Sequence, residues 1–227
     1  MTEGVIGFVP ARGGSKGIAA KNLSEVGGKP LVVRAVETLK AVEEIEKVVL
    51  STDSEEIARA GKLAGAEVPF LRPKELSGDS SPVLDALHHA LTFLESRGEK
   101  VRWIVMVQAT SPFVKARTVR AALRHAQEKD LPVVQSVSPV KEHPLWVRVP
   151  AGELMYPLLP HAGSLRRQDL PSLFVLNGAV NVYRADVVRS KRLPVLVGYL
   201  VIDRFEGFDI DDAFDLRIAR LLAGAQE

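Results

Sequence analysis

The 227 residues are 46% hydrophobic, and 30 basic residues against 28 acidic ones leave a formal charge of +2. This composition predicts a folded globule and argues against disorder and against a general nucleic-acid or membrane-surface binder. With no cysteine, disulfides, thiolate metal sites and cysteine nucleophiles are excluded. No window approaches the ~20 consecutive apolar residues of a membrane helix, and the opening residues read as a strand rather than a targeting segment, so the expected location is cytoplasmic.

In chain order, short β-branched runs predict strands at residues 5–10, 47–52, 67–71, 104–108 and 133–137. Helix-like segments lie between them at 31–42, 55–63, 83–94 and 119–127. The second of these places Ile57, Ala60, Leu63 and Ala64 at helical spacing, as one buried face requires. Asp53 followed by Glu56 reads as a helix start with a capping-box-like partner, and Ser81-Pro82 as a cap followed by a first-turn proline. Nearly continuous apolar strands suit a sheet covered on both faces, and the alternation predicts a doubly wound, mostly parallel α/β sheet. Beyond residue 140, Pro144, Pro150, Pro157, Pro160 and Pro171 interrupt the periodicity, which predicts an inserted arm or hairpin at 141–173 within a single domain spanning 1–227. A last strand pair, 174–184 and 195–201, and a helix at 213–222 complete the pattern.

The loop after the first strand reads Pro10-Ala11-Arg12-Gly13-Gly14-Ser15-Lys16-Gly17, with Lys21-Asn22 close behind. In open α/β sheets, ligands sit beyond the carboxyl ends of the strands. Glycine lets backbone N–H groups approach phosphate oxygens, while Arg12, Lys16 and Lys21 add positive charge. The spacing is neither that of a P-loop nor that of a dinucleotide loop. The bland alternative is a surface loop whose glycines merely turn the chain; the cluster of cations favours phosphate binding.

The same loop resembles that of the acylneuraminate cytidylyltransferases, a family that includes CMP–sialic acid synthetases and their legionaminic and pseudaminic acid relatives. Further matching segments follow in the family's order: Ser51-Thr52-Asp53, Phe70-Leu71-Arg72-Pro73, Gln108-Ala109-Thr110-Ser111-Pro112, Arg167-Gln168-Asp169-Leu170-Pro171, Asn177-Gly178-Ala179 and Asp209-Ile210-Asp211. The resemblance implies a Rossmann-like nucleotide-diphospho-sugar transferase fold with a dimerisation arm. It also implies an enzyme that joins an acidic nine-carbon 2-keto sugar to CMP, using CTP and Mg2+ or Mn2+, as a homodimer. By the same resemblance, Arg12, Gly13, Gly14, Ser15, Lys16, Lys21 and Asn22 would hold the triphosphate, with Arg12, Lys21 and Asn22 serving catalysis. Arg72 would lie near the nucleoside, and Gln108, Arg167, Asn177 and Gly178 would face the sugar. Asp209 and Asp211 would bind the metal; in an extended segment they point the same way with Ile210 inward, although one of them could instead cap the following helix.

Three positions depart from the sialic acid enzymes: Asn181 where an aromatic residue is expected, Trp146 where those enzymes carry lysine, and Val83 in place of a serine near the nucleoside. The first two bear on the sugar and the third on the base. Other readings are GTP as the nucleotide, a legionaminic or pseudaminic acid substrate, a 3-deoxy-octulosonate enzyme, which the glycine loop argues against, and a silent nucleotide-binding module, which would be expected to lack Lys21 or the paired aspartates.

Overall fold

A computed structural model describes residues 4–14, 17–160 and 166–225. In chain order the elements are β1 (Gly4–Pro10), β2 (Glu25–Val26), β3 (Lys29–Pro30), α1 (Leu31–Lys40), β4 (Lys47–Ser51), α2 (Glu55–Leu63), α3 (Val83–Ser96) and β5 (Val101–Val107). They are followed by α4 (Ala116–Glu128), β6 (Val133–Pro139), β7 (Arg148–Ala151), β8 (Leu154–Pro157), β9 (Phe174–Arg184), α5 (Ala185–Ser190), β10 (Gly198–Val201) and α6 (Ala213–Gly224). The central six-stranded sheet has the order β10-β6-β9-β5-β1-β4. The β4–β1, β1–β5 and β6–β10 pairs are parallel, and only β9 runs against its neighbours. The expected doubly wound, mostly parallel α/β sheet is the one observed.

The strand side chains explain why both faces are covered. In β1, Val5 and Val9 enter one core while Ile6 and Phe8 enter the other; in β5, Trp103, Val105 and Val107 oppose Ile104 and Met106 in the same way. Such period-two alternation between two apolar faces needs helices on each side. The first core packs α1, α2, α4 and α6, through residues such as Leu39, Ile57, Leu123 and Leu216. The second packs α3 and α5, through Leu87, Leu91 and Val188.

Several boundaries differ from those expected. Residues 67–71 form no strand: a single parallel bridge joins Glu67 to Val49, and Pro69 cannot donate a further ladder bond. The cap of α2 is Ser54, whose side chain accepts the Ile57 N–H, so Asp53 is not the cap. Pro82, not Ser81, occupies the N-cap position of α3, and the Ser81 hydroxyl donates to the Glu75 carbonyl at 3.0 Å. Helix α4 begins at Ala116, ahead of the predicted 119, where the buried Glu206 carboxylate accepts from the Thr118 hydroxyl and pairs with Lys115 and Arg117. An acidic group at a helix N-terminus stabilises its unpaired N–H groups. Strands β9 and β10 are not neighbours; β6 lies between them.

Between β6 and β9, residues 141–173 contain a one-turn 3-10 helix at Pro144–Trp146, the β7–β8 hairpin and a second 3-10 turn at Arg167–Asp169. Leu154, Met155, Tyr156 and Leu158 on this arm are all more than half exposed. Among the described residues, no helix is long and apolar enough to cross a membrane.

Candidate active site

The largest concentration of the predicted residues lines one cavity of about 290 Å³ beyond the carboxyl ends of β1 and β5. Arg12, Gly14, Lys21 and Asn22 form one wall, Gln108 and Thr110 another, and Asp209 and Asp211 a third. Leu76, Gly78, Asp79, Ser81, Pro82 and Val83 close the remaining side together with Arg72. This is where the strand ends of an open α/β sheet leave a crevice.

The glycine loop is tied to the sheet before it enters the cavity. The Ala11 N–H donates to the Ser51 carbonyl at 3.0 Å, extending the β1–β4 ladder by one bond. The buried Asn22 donates from Nδ2 to the Arg12 carbonyl at 2.8 Å, so its side chain closes the loop on itself. Arg12 donates to Asp79 Oδ1 at 2.5 Å, linking the loop to the segment that contributes Leu76 to Val83 to the lining. Ser15 and Lys16 lie outside the described residues.

Lys21 connects the loop to the acidic segment. Its Nζ donates to the Ile210 carbonyl at 2.8 Å and approaches the Asp211 carbonyl at 3.5 Å. Gly17 makes the same connection sterically: a methyl group there would come within 2.7 Å of the Asp211 carbonyl oxygen. The Ile210 N–H donates to the Thr110 carbonyl at 2.9 Å, and the Ile210 side chain is fully buried. Asp209 and Asp211 therefore flank an anchored residue, and both line the cavity.

The competing reading of these aspartates as caps is removed by the next residue. Asp212 is the N-cap of α6 and forms a reciprocal capping box with Asp215, whose carboxylate accepts the Asp211 and Asp212 N–H groups. Asp209 Oδ1 is buried with no hydrogen-bond partner among the described residues. Burial pushes its carboxyl above the usual range; a nearby Thr110 hydroxyl counters part of the rise, and the Asp211 charge adds to it. A buried carboxylate oxygen without a partner beside a second carboxylate is a donor set that suits a hard divalent cation. Among the described residues no group of three or more such ligands occurs, so remaining coordination positions would fall to phosphate oxygens and water.

Arg72 is buried, donating from Nε to the Ser51 hydroxyl at 2.9 Å and from Nη2 to the Ser51 carbonyl. Burial lowers its pKa to about 10, while the Asp53 carboxylate works in the opposite direction. Its polar edge is thus bound chiefly to the protein, although the residue borders the cavity. Asp53, expected from sequence to be a cap, accepts the Gly13 N–H at 2.7 Å.

Gln108 lines the cavity and lies against Gly178, where a Cβ would sit 2.8 Å from Gln108 Nε2. Gly178 also has φ +71°, a conformation that favours glycine. Asn177 is held behind this contact by Ser136, Ser138 and the Ala179 N–H, at 2.5, 2.9 and 3.2 Å. Asn181 donates to the Gly178 carbonyl and accepts from Gln135, at 3.0 and 3.1 Å, so the departure from an aromatic residue supports the same turn. Arg167 is not brought to this cavity. It is exposed and lines a separate cavity of about 290 Å³ with Lys141, His143 and Trp146. Among the wall residues to which the sequence assigned no role are Asp79, which the Arg12 guanidinium meets, and Thr110, inside the Gln108–Pro112 segment.

Comparisons with known proteins bear on the family and the fold. Residues 6–149 match the family model described as Cytidylyltransferase. The chain is 30% identical over 227 residues to the CMP-N,N'-diacetyllegionaminic acid synthase of Legionella pneumophila, covering 96% of this chain and 95% of that protein. It is 34% identical to a pseudaminic acid cytidylyltransferase of Campylobacter jejuni, over 51% of this chain and 50% of the relative. An N-acylneuraminate cytidylyltransferase of Streptococcus agalactiae is 31% identical over 76% of this chain and 41% of its own length. Among solved structures, a CMP:2-keto-3-deoxy-manno-octonic acid synthetase complexed with CTP shares the fold with a TM-score of 0.75 at 18% identity, covering 99% of this chain and 100% of that one. A 4-diphosphocytidyl-2C-methyl-D-erythritol synthase of Anaerococcus prevotii superposes with a TM-score of 0.66 at 12% identity, over 99% of this chain and 97% of that one. By the family match and the nearly end-to-end relative, the chain belongs to the cytidylyltransferase family of enzymes.

Proposed function

We propose that this enzyme joins CMP from CTP to an acidic 2-keto sugar of the nonulosonic acid class, releasing pyrophosphate. The observation that carries the reading is the convergence of Arg12, Lys21, Asp209 and Asp211 on one strand-end cavity that Gln108 also lines. The relatives support the sugar class, since their names specify legionaminic, pseudaminic and N-acylneuraminic acids.

In this reaction the anomeric hydroxyl oxygen bonds to the α-phosphorus, the bond to the β-phosphate oxygen breaks, and the hydroxyl proton is lost. Positioning and charge stabilisation do most of the work, and no covalent enzyme intermediate is required. Mg2+ or Mn2+ held by Asp209 and Asp211 would supply charge stabilisation at the phosphate oxygens. Lys21 keeps the acidic segment against the loop through the Ile210 and Asp211 carbonyls, and its ammonium retains a donor for phosphate. Arg12 exchanges the Asp79 carboxylate for the more highly charged triphosphate. Gly14, Ser15 and Lys16 complete the phosphate side, Asn22 holds the loop closed, and Gln108 orients the sugar against Gly178. Arg72 and Val83 border the nucleoside end.

The proposal includes a single domain over 1–227 acting as a cytoplasmic homodimer, with residues 141–173 inserted as an arm. Exposed Leu154, Met155, Tyr156 and Leu158 give that arm an apolar surface suited to a second copy. Arg167 on the arm would then meet the sugar carboxylate in the partner's site, for which a guanidinium is well matched. Sedimentation tests the assembly; a fully active monomer would end it.

The chemistry is tested by pyrophosphate release across a panel of nucleoside triphosphates and acidic sugars. CTP with a nonulosonic acid is the expected productive pair. Preference for GTP would reassign the base, and tight CTP binding without turnover on any acidic sugar would leave only a binding module.

A further inference from the structure

We propose that Asp53 is a positioning residue for nucleotide binding: its carboxylate holds the glycine loop against the turn after β4 and so aims the loop at the phosphates. The inference rests on the reading of the strand-end cavity as a nucleotide site.

The geometry is specific. The regular pairing of β1 with β4 ends at Pro10 and Ser51, and the Ala11 N–H adds one more bond, to the Ser51 carbonyl. Two residues further on, the Gly13 N–H donates to Asp53 Oδ1 at 2.7 Å, carrying the attachment into the loop itself. Gly13 is seated closely on the same turn, because a methyl group there would come within 3.0 Å of Ser54 Cβ.

The turn that presents Asp53 is itself fixed. Thr52 is fully buried, its hydroxyl accepts the Ser54 N–H at 3.1 Å, and its carbonyl accepts the Arg72 N–H at 2.7 Å. Ser54 caps α2 by accepting the Ile57 N–H at 3.4 Å. Ser51 is bound to the Arg72 guanidinium. Every residue of Ser51-Thr52-Asp53-Ser54 therefore has a hydrogen-bond partner, and that of the Asp53 carboxylate is the glycine loop.

The charge makes this placement informative. A carboxylate close to a triphosphate site repels the ligand. Here the buried Arg72 guanidinium offsets that repulsion, and Asp53 in turn favours the arginine's charged form. The carboxylate's contribution lies in accepting the amide hydrogen, a charge-assisted bond stronger than one between neutral groups. It also removes the Gly13 N–H from the set free to bind phosphate.

The test compares Asp53→Ala with Asp53→Asn, in which an amide oxygen can still accept while the charge is gone. CTP affinity is measured by calorimetry without sugar, together with the KM values for CTP and sugar and amide exchange at Gly13. Asp53→Ala should weaken CTP binding by roughly 10-fold or more, the scale of losing one charge-assisted hydrogen bond. Gly13 exchange should accelerate, with sugar KM little changed and the thermal transition still cooperative. Asp53→Asn should restore most of the CTP affinity and much of the exchange protection. Undiminished CTP binding in Asp53→Ala overturns the role, and so does an Asp53→Asn variant as weak as Asp53→Ala. If the wild-type protein binds no CTP, the nucleotide-site reading itself fails, an outcome separate from loss of the Asp53 effect in a protein that does bind it.

Discussion

The strand-end cavity and the arm at 141–173 are built by opposite means. Around the cavity, each chemically important segment is fastened to a buried strand or to another wall: Asn22 to Arg12, Gly13 to Asp53, Lys21 to Ile210, and Ile210 to Thr110. The arm instead consists of a two-stranded hairpin and short turns, with large apolar side chains facing outward. An isolated hairpin buries too little surface to be stable alone. The contrast is between a cavity whose walls are joined by hydrogen bonds and a hairpin that presents apolar side chains outward.

Substitutions on the two sides of that contrast should differ in kind as well as in size. Asp211→Asn should have the largest effect, a loss of turnover of about 1,000-fold, as for removal of a principal transition-state charge stabiliser. Metal-dependent turnover at the wild-type rate would remove Asp211 from the site. Lys21→Ala should lower kcat by at least ~100-fold. Because Lys21 also ties down the acidic segment, the same variant should bind Mn2+ more weakly; an unchanged rate would exclude it from the mechanism. Arg167→Ala should be milder and selective, raising sugar KM by about 10-fold through loss of one charged contact while leaving CTP affinity intact. Normal sugar affinity would refute its assignment to the carboxylate, whereas weakened CTP binding would erase the distinction between the two regions.

The parts of the fold that were legible in sequence are those whose signal is local. The nearly continuous apolar run at residues 103–107 was recognisable because burial on both sides of a sheet leaves a pattern in adjacent residues. The face expected on α2 holds only in part: Ile57 is buried with Ala60 and Ala64 packed beside it, but Leu63 is 85% exposed, and Ala58 and Gly61 are buried instead. The N-terminal limit of α4 was not legible, since Glu206, which meets its first turn, lies 88 residues after Thr118. Helix α5 has only six residues, too few for periodicity to declare itself. The metal-or-cap ambiguity at Asp209 and Asp211 could have been narrowed by the Asp212–Asp215 spacing, because a capping box is a local pattern of residue types three positions apart.

Residue order alone determined the α/β class, the position of the glycine loop after the first strand and the set of groups able to meet a polyanion, because these follow from periodicity and from side-chain chemistry. Only the tertiary structure decided that β9 runs backward between β5 and β6, that Asp53 anchors Gly13 while Ser54 caps α2, and that Arg167 lines a different cavity from Lys21. Strand order and the partner chosen by a carboxylate depend on contacts between distant parts of the chain, and no short window of sequence carries that information.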